Sequence, residues 1–345
     1  MRRITIQSGK VAVSVTGVSE SELTSFFSPF FTVRKSLTSD VVCCTISVNY
    51  VKPNIWGNLE RSIKRNKHRL IVLYPSKKAA HHITGLLVEQ SDGKNKFILC
   101  PTCLIRIDQV QRILELTVPL GVDVQPVLRV LIRDVMKKEW ERQGGVLLHA
   151  SAVELEGQAH LFIGPKGSGK TNLLLNFVRA GAAVLSFDRI MLQKQGEEII
   201  AFAWPTYFNI DMPTFARFSE LLPDLHKLQS LDTRGNEGKV SLIAEQVRHL
   251  KLSSQAPWNK AIFSCFHREH RDFAECELGE AEIYKSLIEE CFSPDAVENE
   301  DWHGLVETDR SAILLNVQDL CRKLAVSKSC VRWIFGPGMF AGQKT

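Results

Sequence analysis

Ala159-His160-Leu161-Phe162-Ile163-Gly164-Pro165-Lys166-Gly167-Ser168-Gly169-Lys170-Thr171-Asn172-Leu173-Leu174 joins an apolar run to a glycine-rich loop and then to a new apolar stripe. The eight residues Gly164 to Thr171 match the pattern G-x-x-x-x-G-K-[ST], the Walker A motif, at every fixed position. Glycine admits positive φ, so such a loop turns its N–H groups inward and forms a concavity for phosphate oxygens. The helix that opens behind it adds its N-terminal dipole. This predicts a P-loop for a nucleoside triphosphate, most simply ATP, made by Gly164, Pro165, Lys166, Gly167, Ser168, Gly169, Lys170 and Thr171. Lys170 would reach the β- and γ-phosphates and the Thr171 hydroxyl would hold Mg²⁺. Lys166 would touch a γ-phosphate or stay solvated, and no catalytic role follows for it. A glycine turn without a ligand, or nucleotide binding without chemistry, are the plainer readings of the same residues.

On the C-terminal side, Leu173, Leu174, Phe177 and Val178 make the helix stripe, with Gly181 placed to end it. The strand Ala183 to Ser186 then leads to Phe187-Asp188. Asp188 stands eighteen positions after Lys170. A carboxylate there would bind Mg²⁺ or take the proton of an attacking hydroxyl, or else cap a turn beside Arg189. On the N-terminal side, Val146 to Leu155 reads as one strand, turned at Glu156-Gly157 into Ala159 to Ile163, a hairpin feeding the loop.

Farther out, residues 1 to about 120 read as short strands, among them Val11 to Val15, Val41 to Val48, Leu70 to Tyr74 and Lys96 to Leu99. Pro126 opens a helix whose apolar positions, Val127 to Trp140, recur at helical spacing until Gly144-Gly145. Downstream come a strand at Ala261 to Phe263, helices at Glu280 to Cys291 and Asp309 to Leu324, and an extended Val331 to Phe335. The 345 residues suit two domains, a strand-rich 1–124 of unknown role and a nucleotide-binding 125–345.

Composition excludes several classes. The chain is 44% hydrophobic and 23% charged, with 43 basic against 38 acidic residues, an excess too mild to imply nucleic acid. No apolar run is long enough to span a bilayer, and the basic start Met1-Arg2-Arg3 lacks the apolar core of a secretory signal. The nine cysteines are odd in number and scattered, which points to a cytoplasmic protein with reduced thiols.

Leu147-Leu148-His149-Ala150-Ser151-Ala152-Val153-Glu154, the hairpin, the loop and Val184-Leu185-Ser186-Phe187-Asp188-Arg189 together resemble the C-terminal domain of HPr kinase/phosphorylase and its looser bacterial relatives. The likeness is specific over about residues 144 to 192, diffuse beyond and absent from 1 to 120. It implies an α/β fold of the α+β mixed-sheet kind, with the P-loop on a sheet like that of phosphoenolpyruvate carboxykinase. It also implies phosphorylation of a hydroxyl, in the founding case a serine on a partner protein. By position, His149 matches a histidine near the phosphates, and Asp188 matches the second of an aspartate pair. The first, the acid/base of the founding enzymes, falls on Phe187, and Asn172 stands where they carry an acidic residue. Nucleotide binding carries over; HPr as substrate and reversible phosphorolysis do not. The reading is a kinase using ATP and Mg²⁺, with Thr171 and Asp188 on the metal and Lys170, Asp188 and His149 at the chemistry. Its acceptor would be a protein, a peptide or a small molecule. No membrane partner is expected, and a homo-oligomer is one option left open. A nucleotide-gated module without transfer is the alternative, fed by Phe187. On its apolar strand, His149 reads equally as a core histidine.

Four other clusters have bland explanations. Cys100-Pro101-Thr102-Cys103 is a lone C-x-x-C, with no second pair to complete a zinc site. Cys265, His267, His270 and Cys276 fit no common zinc spacing and suit a polar hairpin tip. The basic run Arg61 to Arg69 carries no aromatic residue for base stacking and suits a solvated loop. Leu320 to Ile334 has the apolar spacing of a helix-turn-helix that would aim Ser327, Lys328 and Arg332 at DNA. Its second half is β-rich, however, and favours a helix followed by a strand.

Overall fold

The computed structural model describes residues 3–36, 42–74, 83–89, 95–222, 239–267, 273–294, 302–327 and 329–336. Contacts gather the chain into two units: Met1–Leu23, Thr32–Gln143 and Asp295–Asp309 form one, and Thr24–Phe31, Gly144–Pro294 and Arg310–Thr345 form the other. Among the described residues there are seven α-helices and several mixed sheets, a mixed α/β architecture.

The first unit is built on β1 (Arg3–Ser8), β2 (Val11–Thr16), β3 (Thr32–Lys35), β4 (Cys44–Val51), β5 (Arg69–Tyr74), β6 (Ile83–Glu89), β7 (Asn95–Leu99), β8 (Leu104–Asp108) and β9 (Ile113–Pro119). They make one sheet in the order β3-β1-β2-β4-β9-β8-β7-β6-β5. Period-2 burial sets its faces: Leu114, Leu116 and Val118 of β9 are buried, and the residues between them are half-buried. β2, β4 and β9 run parallel, whereas β5 to β9 form an antiparallel meander.

Helices interrupt the expected all-strand pattern. α1 (Glu20–Phe27) starts from Ser19, whose hydroxyl and Glu22 carboxylate cap each other's backbone N–H groups. α2 (Pro53–Lys64) has proline in its first turn. The basic run is therefore not a simple loop. Arg61 and Lys64 lie in the last turn of α2, where cations meet the negative end of the helix dipole, and Arg69 opens β5. Arg61 also donates to Gly57 O and Asn58 Oδ1. α3 (Gln125–Arg142) is buried through Val127, Leu128, Leu131, Ile132, Val135 and Trp140, as its spacing predicts. The same helix buries charge. Lys137 pairs with Glu141 at 2.5 Å, and Asp134 meets Lys138 at 3.6 Å and the fully buried His303 at 2.9 Å. Cys100 and Cys103 occupy the turn from β7 to β8, with both thiols buried and the Cys100 N–H donating to the Cys103 carbonyl. Their spacing is that of a hairpin turn.

The second unit contains β10 (Val146–Leu148), β11 (Ala150–Leu155), β12 (Gln158–Ile163), α4 (Lys170–Arg179), β13 (Ala183–Ser186), β14 (Ile190–Gln195), β15 (Glu198–Ala203), β16 (Phe208–Asp211), α5 (Met212–Arg217), β17 (Lys239–Leu242), β18 (Gln255–Phe266), β19 (Ala274–Glu277), α6 (Glu280–Glu289), α7 (Arg310–Ala325) and β20 (Cys330–Phe335). Its main sheet runs β10-β14-β15-β18-β12-β11-β13, with β20 on β18 and β19 on β20; β16 and β17 pair separately. The long β18 changes partner along its length. Gln255 to Pro257 lie antiparallel to β15, and the following residues lie parallel to β12 and β20. The C-terminal ends of β12, β18 and β20 thus point the same way, and the glycine loop leaves from that end.

The single strand expected over Val146 to Leu155 is two. β10 pairs with β14 and β11 with β12 and β13, so the chain changes sheet partners at His149. Leu320 to Ile334 resolves into α7 followed by β20, which pairs with both β18 and β19, and this leaves no recognition helix; Lys328 lies outside the described residues. β18 and β19 lie on either side of β20 and so form no hairpin with each other; His270 is outside the described residues.

Candidate functional site

β12 ends at Ile163 and α4 begins at Lys170. Gly164, Gly167 and Gly169 between them take φ of 146°, 89° and 91°. At two of these positions the space is closed as well. A Cβ on Gly164 would stand 2.8 Å from Ser168 Oγ and 3.0 Å from the Ser264 carbonyl, and one on Gly169 would stand 2.6 Å from the Phe335 ring. Only glycine fits there. Ser168 Oγ lies 2.9 Å from Ser264 Oγ, which in turn donates to the Ile163 carbonyl at 3.1 Å, tying the loop to β18. α4 ends in a Schellman arrangement at Gly181, with Ala182 N–H on Phe177 O and Gly181 N–H on Val178 O.

Lys170 is buried, and its ammonium donates to the carbonyls of Gly164 and Pro165. Burial pushes it below its ordinary value, and the carboxylates of Glu290 and Asp188 pull it back up. Thr171 is half-buried in the first turn of α4, whereas Pro165 and Lys166 are exposed at the loop's crest. Asn172 reaches toward Thr214 at 3.5 Å and accepts from Arg217 at 3.3 Å, so it links α4 to α5.

His149 and Asp188 come together. Nε2 of His149 lies 3.3 Å from Asp188 Oδ1, and its Nδ1 lies 2.5 Å from Glu290 Oε2. The imidazole therefore bridges two carboxylates. Burial disfavours its charged form, but the hydrogen bonds with Asp188 and Glu290 outweigh that and hold it above the usual histidine range. Burial likewise acts to raise Asp188, and its hydrogen bond with His149, helped by the charges of His149, Arg189 and Lys170, carries it below the usual carboxylate range. The Asp188 side chain is 43% exposed, so a ligand can reach it.

Glu290 was not legible in the sequence. It follows α6, where Leu148 and Cys291 form an isolated antiparallel bridge: the Glu290 carbonyl accepts the His149 N–H and the Phe292 N–H donates to the Leu147 carbonyl. Phe187, beside Asp188, turns the other way. It is 5% exposed and stacks on Phe208 at 4.4 Å, with Phe30 edge-on at 5.7 Å.

A cleft of about 480 Å³ opens beside the loop. It is lined by Gly164 to Ser168, by Cys265 and Phe266 of β18, and by Glu289, Glu290 and Arg332. Among the described residues no group of three or more His, Cys, Asp or Glu is placed to hold a metal ion by itself. Nor, among them, is any helix long and apolar enough to cross a membrane.

No family model and no curated protein matches this chain. Among solved structures, the Hpr(Ser) kinase/phosphatase from Coxiella burnetii is similar over 36% of this chain and 66% of its own, just under two thirds. Identity over that match is 15% and the TM-score is 0.23. This is a weak structural neighbour, and the assignment of function rests on the site itself.

Proposed function

We propose that the chain is an ATP-dependent kinase of the HPr-kinase-like kind, transferring the γ-phosphoryl group to a hydroxyl. The observation that carries this reading is the convergence of the glycine loop, its buried lysine and the Asp188–His149–Glu290 chain at one end of β12. The loop amides and the α4 dipole supply a phosphate cradle. Lys170, released from its carbonyls, supplies the positive charge for the β- and γ-phosphates.

Mg²⁺ fits the donors present. Thr171 Oγ1 and the Asp188 carboxylate are hard oxygens, and a metal held by one or two protein groups plus phosphates needs no larger protein cluster. When bound, the ion would neutralise charge on the phosphates. Asp188 is half-exposed beside that position and is the group to accept the acceptor's proton. The hydroxyl oxygen then forms its bond to the γ-phosphorus as the bond to the β-phosphate breaks, and ADP leaves. The acceptor is a serine on a protein or peptide, or a small molecule.

A second reading draws on Phe187. With that position sealed in an aromatic cluster, only one carboxylate of the family's pair remains, which suits a nucleotide-gated module that binds without transfer. Incubation with γ-labelled ATP, Mg²⁺ and a lysate separates the two. A labelled acceptor that disappears with Lys170→Ala and with Asp188→Asn supports the kinase. ATP binding abolished by Lys170→Ala, with no labelled acceptor in any fraction, supports the module.

A further inference from the structure

Glu290 meets His149 twice. Its carboxylate faces Nδ1 of the ring at 2.5 Å, and its own carbonyl accepts the His149 backbone N–H at 2.8 Å. The residues that follow extend the clip. Phe292 N–H donates to the Leu147 carbonyl, Leu148 and Cys291 form a bridge, and Leu147 N–H donates to Ser293 Oγ at 2.9 Å. The Phe292 ring lies 5.6 Å from the imidazole and also takes the Arg189 guanidinium at 4.6 Å. The backbone and ring of His149 are thus held by one short segment that lies far away in sequence. The Glu290 side chain is 16% exposed and also borders the cleft beside the loop.

We propose that Glu290 is a positioning residue, which fixes the His149 ring through Nδ1 so that Nε2 stays directed at Asp188. The inference rests on the kinase reading above. A histidine free to rotate about χ2 would leave Asp188 without its partner for much of the time, whereas a ring locked at one nitrogen presents the other in a single direction. Glu290 touches no reacting atom in this scheme. It acts through His149, as an outer carboxylate does for a histidine that must hold one orientation.

Wild-type protein, Glu290→Ala and Glu290→Gln are compared for Mg²⁺·ATP binding by calorimetry and for the rate of label transfer from γ-labelled ATP to the lysate acceptor. Losing a hydrogen bond to a charged partner is worth about 1.5–3 kcal/mol, so Glu290→Ala lowers kcat roughly 10- to 100-fold while ATP affinity holds. Glu290→Gln keeps an oxygen that accepts from Nδ1–H, and it recovers most of the loss. Glu290→Ala turning over at the wild-type rate, or Glu290→Gln failing as badly as alanine, overturns the proposal. Imidazole ¹⁵N–¹H spectra of the same three proteins give a readout that needs no turnover. An exchange-protected Nδ1 proton in wild type and glutamine variant, lost in the alanine variant, supports the clamp; an identical signal in all three removes it. If the wild-type protein labels no lysate acceptor from γ-labelled ATP and yet shows the protected proton lost only in alanine, the kinase reading fails and the clamp stands.

Discussion

Replacing Phe187 by aspartate would place a second carboxylate directly beside Asp188. Its setting predicts loss of the fold instead of gain of a base. The ring is 5% exposed, stacked on Phe208 at 4.4 Å and touched edge-on by Phe30. Truncating a buried phenylalanine costs about 3–5 kcal/mol. Placing a carboxylate among these aromatic rings adds several kcal/mol more. The sum approaches the roughly 5–15 kcal/mol that holds a domain together. Phe187→Asp is therefore expected to be insoluble or unfolded at room temperature. Phe187→Leu keeps most of the volume and loses the ring contacts, at about 1–2 kcal/mol. In a domain of about 150–250 residues that lowers Tm by roughly 2–8 °C. Circular dichroism melts with urea titration check both variants. A Phe187→Asp protein that melts near the wild type and releases ADP faster would refute the reasoning, because position 187 would then turn toward the site.

Three further outcomes follow from local surroundings. Asp134→Ala strips the fully buried His303 and Lys138 of their shared carboxylate, and breaking such a pair costs about 3–5 kcal/mol. Burial acts to raise Asp134, but Lys138 and His303 carry it well below the usual carboxylate range. Its contribution is therefore complete above the unfolded value of about 3.9 and is lost as pH falls from there toward its folded value. Urea midpoints near neutral pH and near pH 3 check this: the wild type should lose more on acidification than Asp134→Ala, and equal losses would remove Asp134 as the cause. Gly169→Ala puts a Cβ 2.6 Å from the Phe335 ring at a φ of 91°, for a combined strain and overpacking cost of about 2–5 kcal/mol and a weakened ATP complex. Gly57→Ala, inside α2 with nothing within 4 Å, should instead stabilise by about 0.5–1 kcal/mol.

Where one element's own residues decide its structure, the sequence was readable. The stripe Leu173 to Val178, Gly181 at its end and the apolar run into Gly164 are local signals, and α4, its Schellman end and β12 follow them. α1 and α2 carried local signals too. Ser19 and Glu22 form a capping box, and Pro53 precedes Ile55, Trp56, Leu59 and Ile63 at helical spacing, although the β-rich surroundings dominate a first reading. The break at His149 had no local sign. Val146 to Leu155 carries no glycine or proline, and what divides it is a change of partner, from β14 to β12 and β13, decided by strands that come later in the chain.

The same distance hid Glu290, and it explains what a motif can and cannot deliver. A phosphate loop is legible because one glycine turn between a strand and a helix supplies its amides, its lysine and its threonine together. An oriented imidazole needs groups from three places. Here His149 leaves β10, Asp188 follows β13, and Glu290 caps α6, 141 residues from its partner. Glu289-Glu290 reads as one more acidic pair at the end of an amphipathic helix, and only the bridge from Cys291 to Leu148 turns one of the two inward. Glu289, one residue earlier, is 63% exposed and pairs loosely with Lys285 at 3.9 Å, whereas Glu290 is 16% exposed against the imidazole. Exchanging the chemistry of these neighbours therefore has unequal consequences: neutralising Glu289 changes a solvated helix end, and neutralising Glu290 changes which way His149 points.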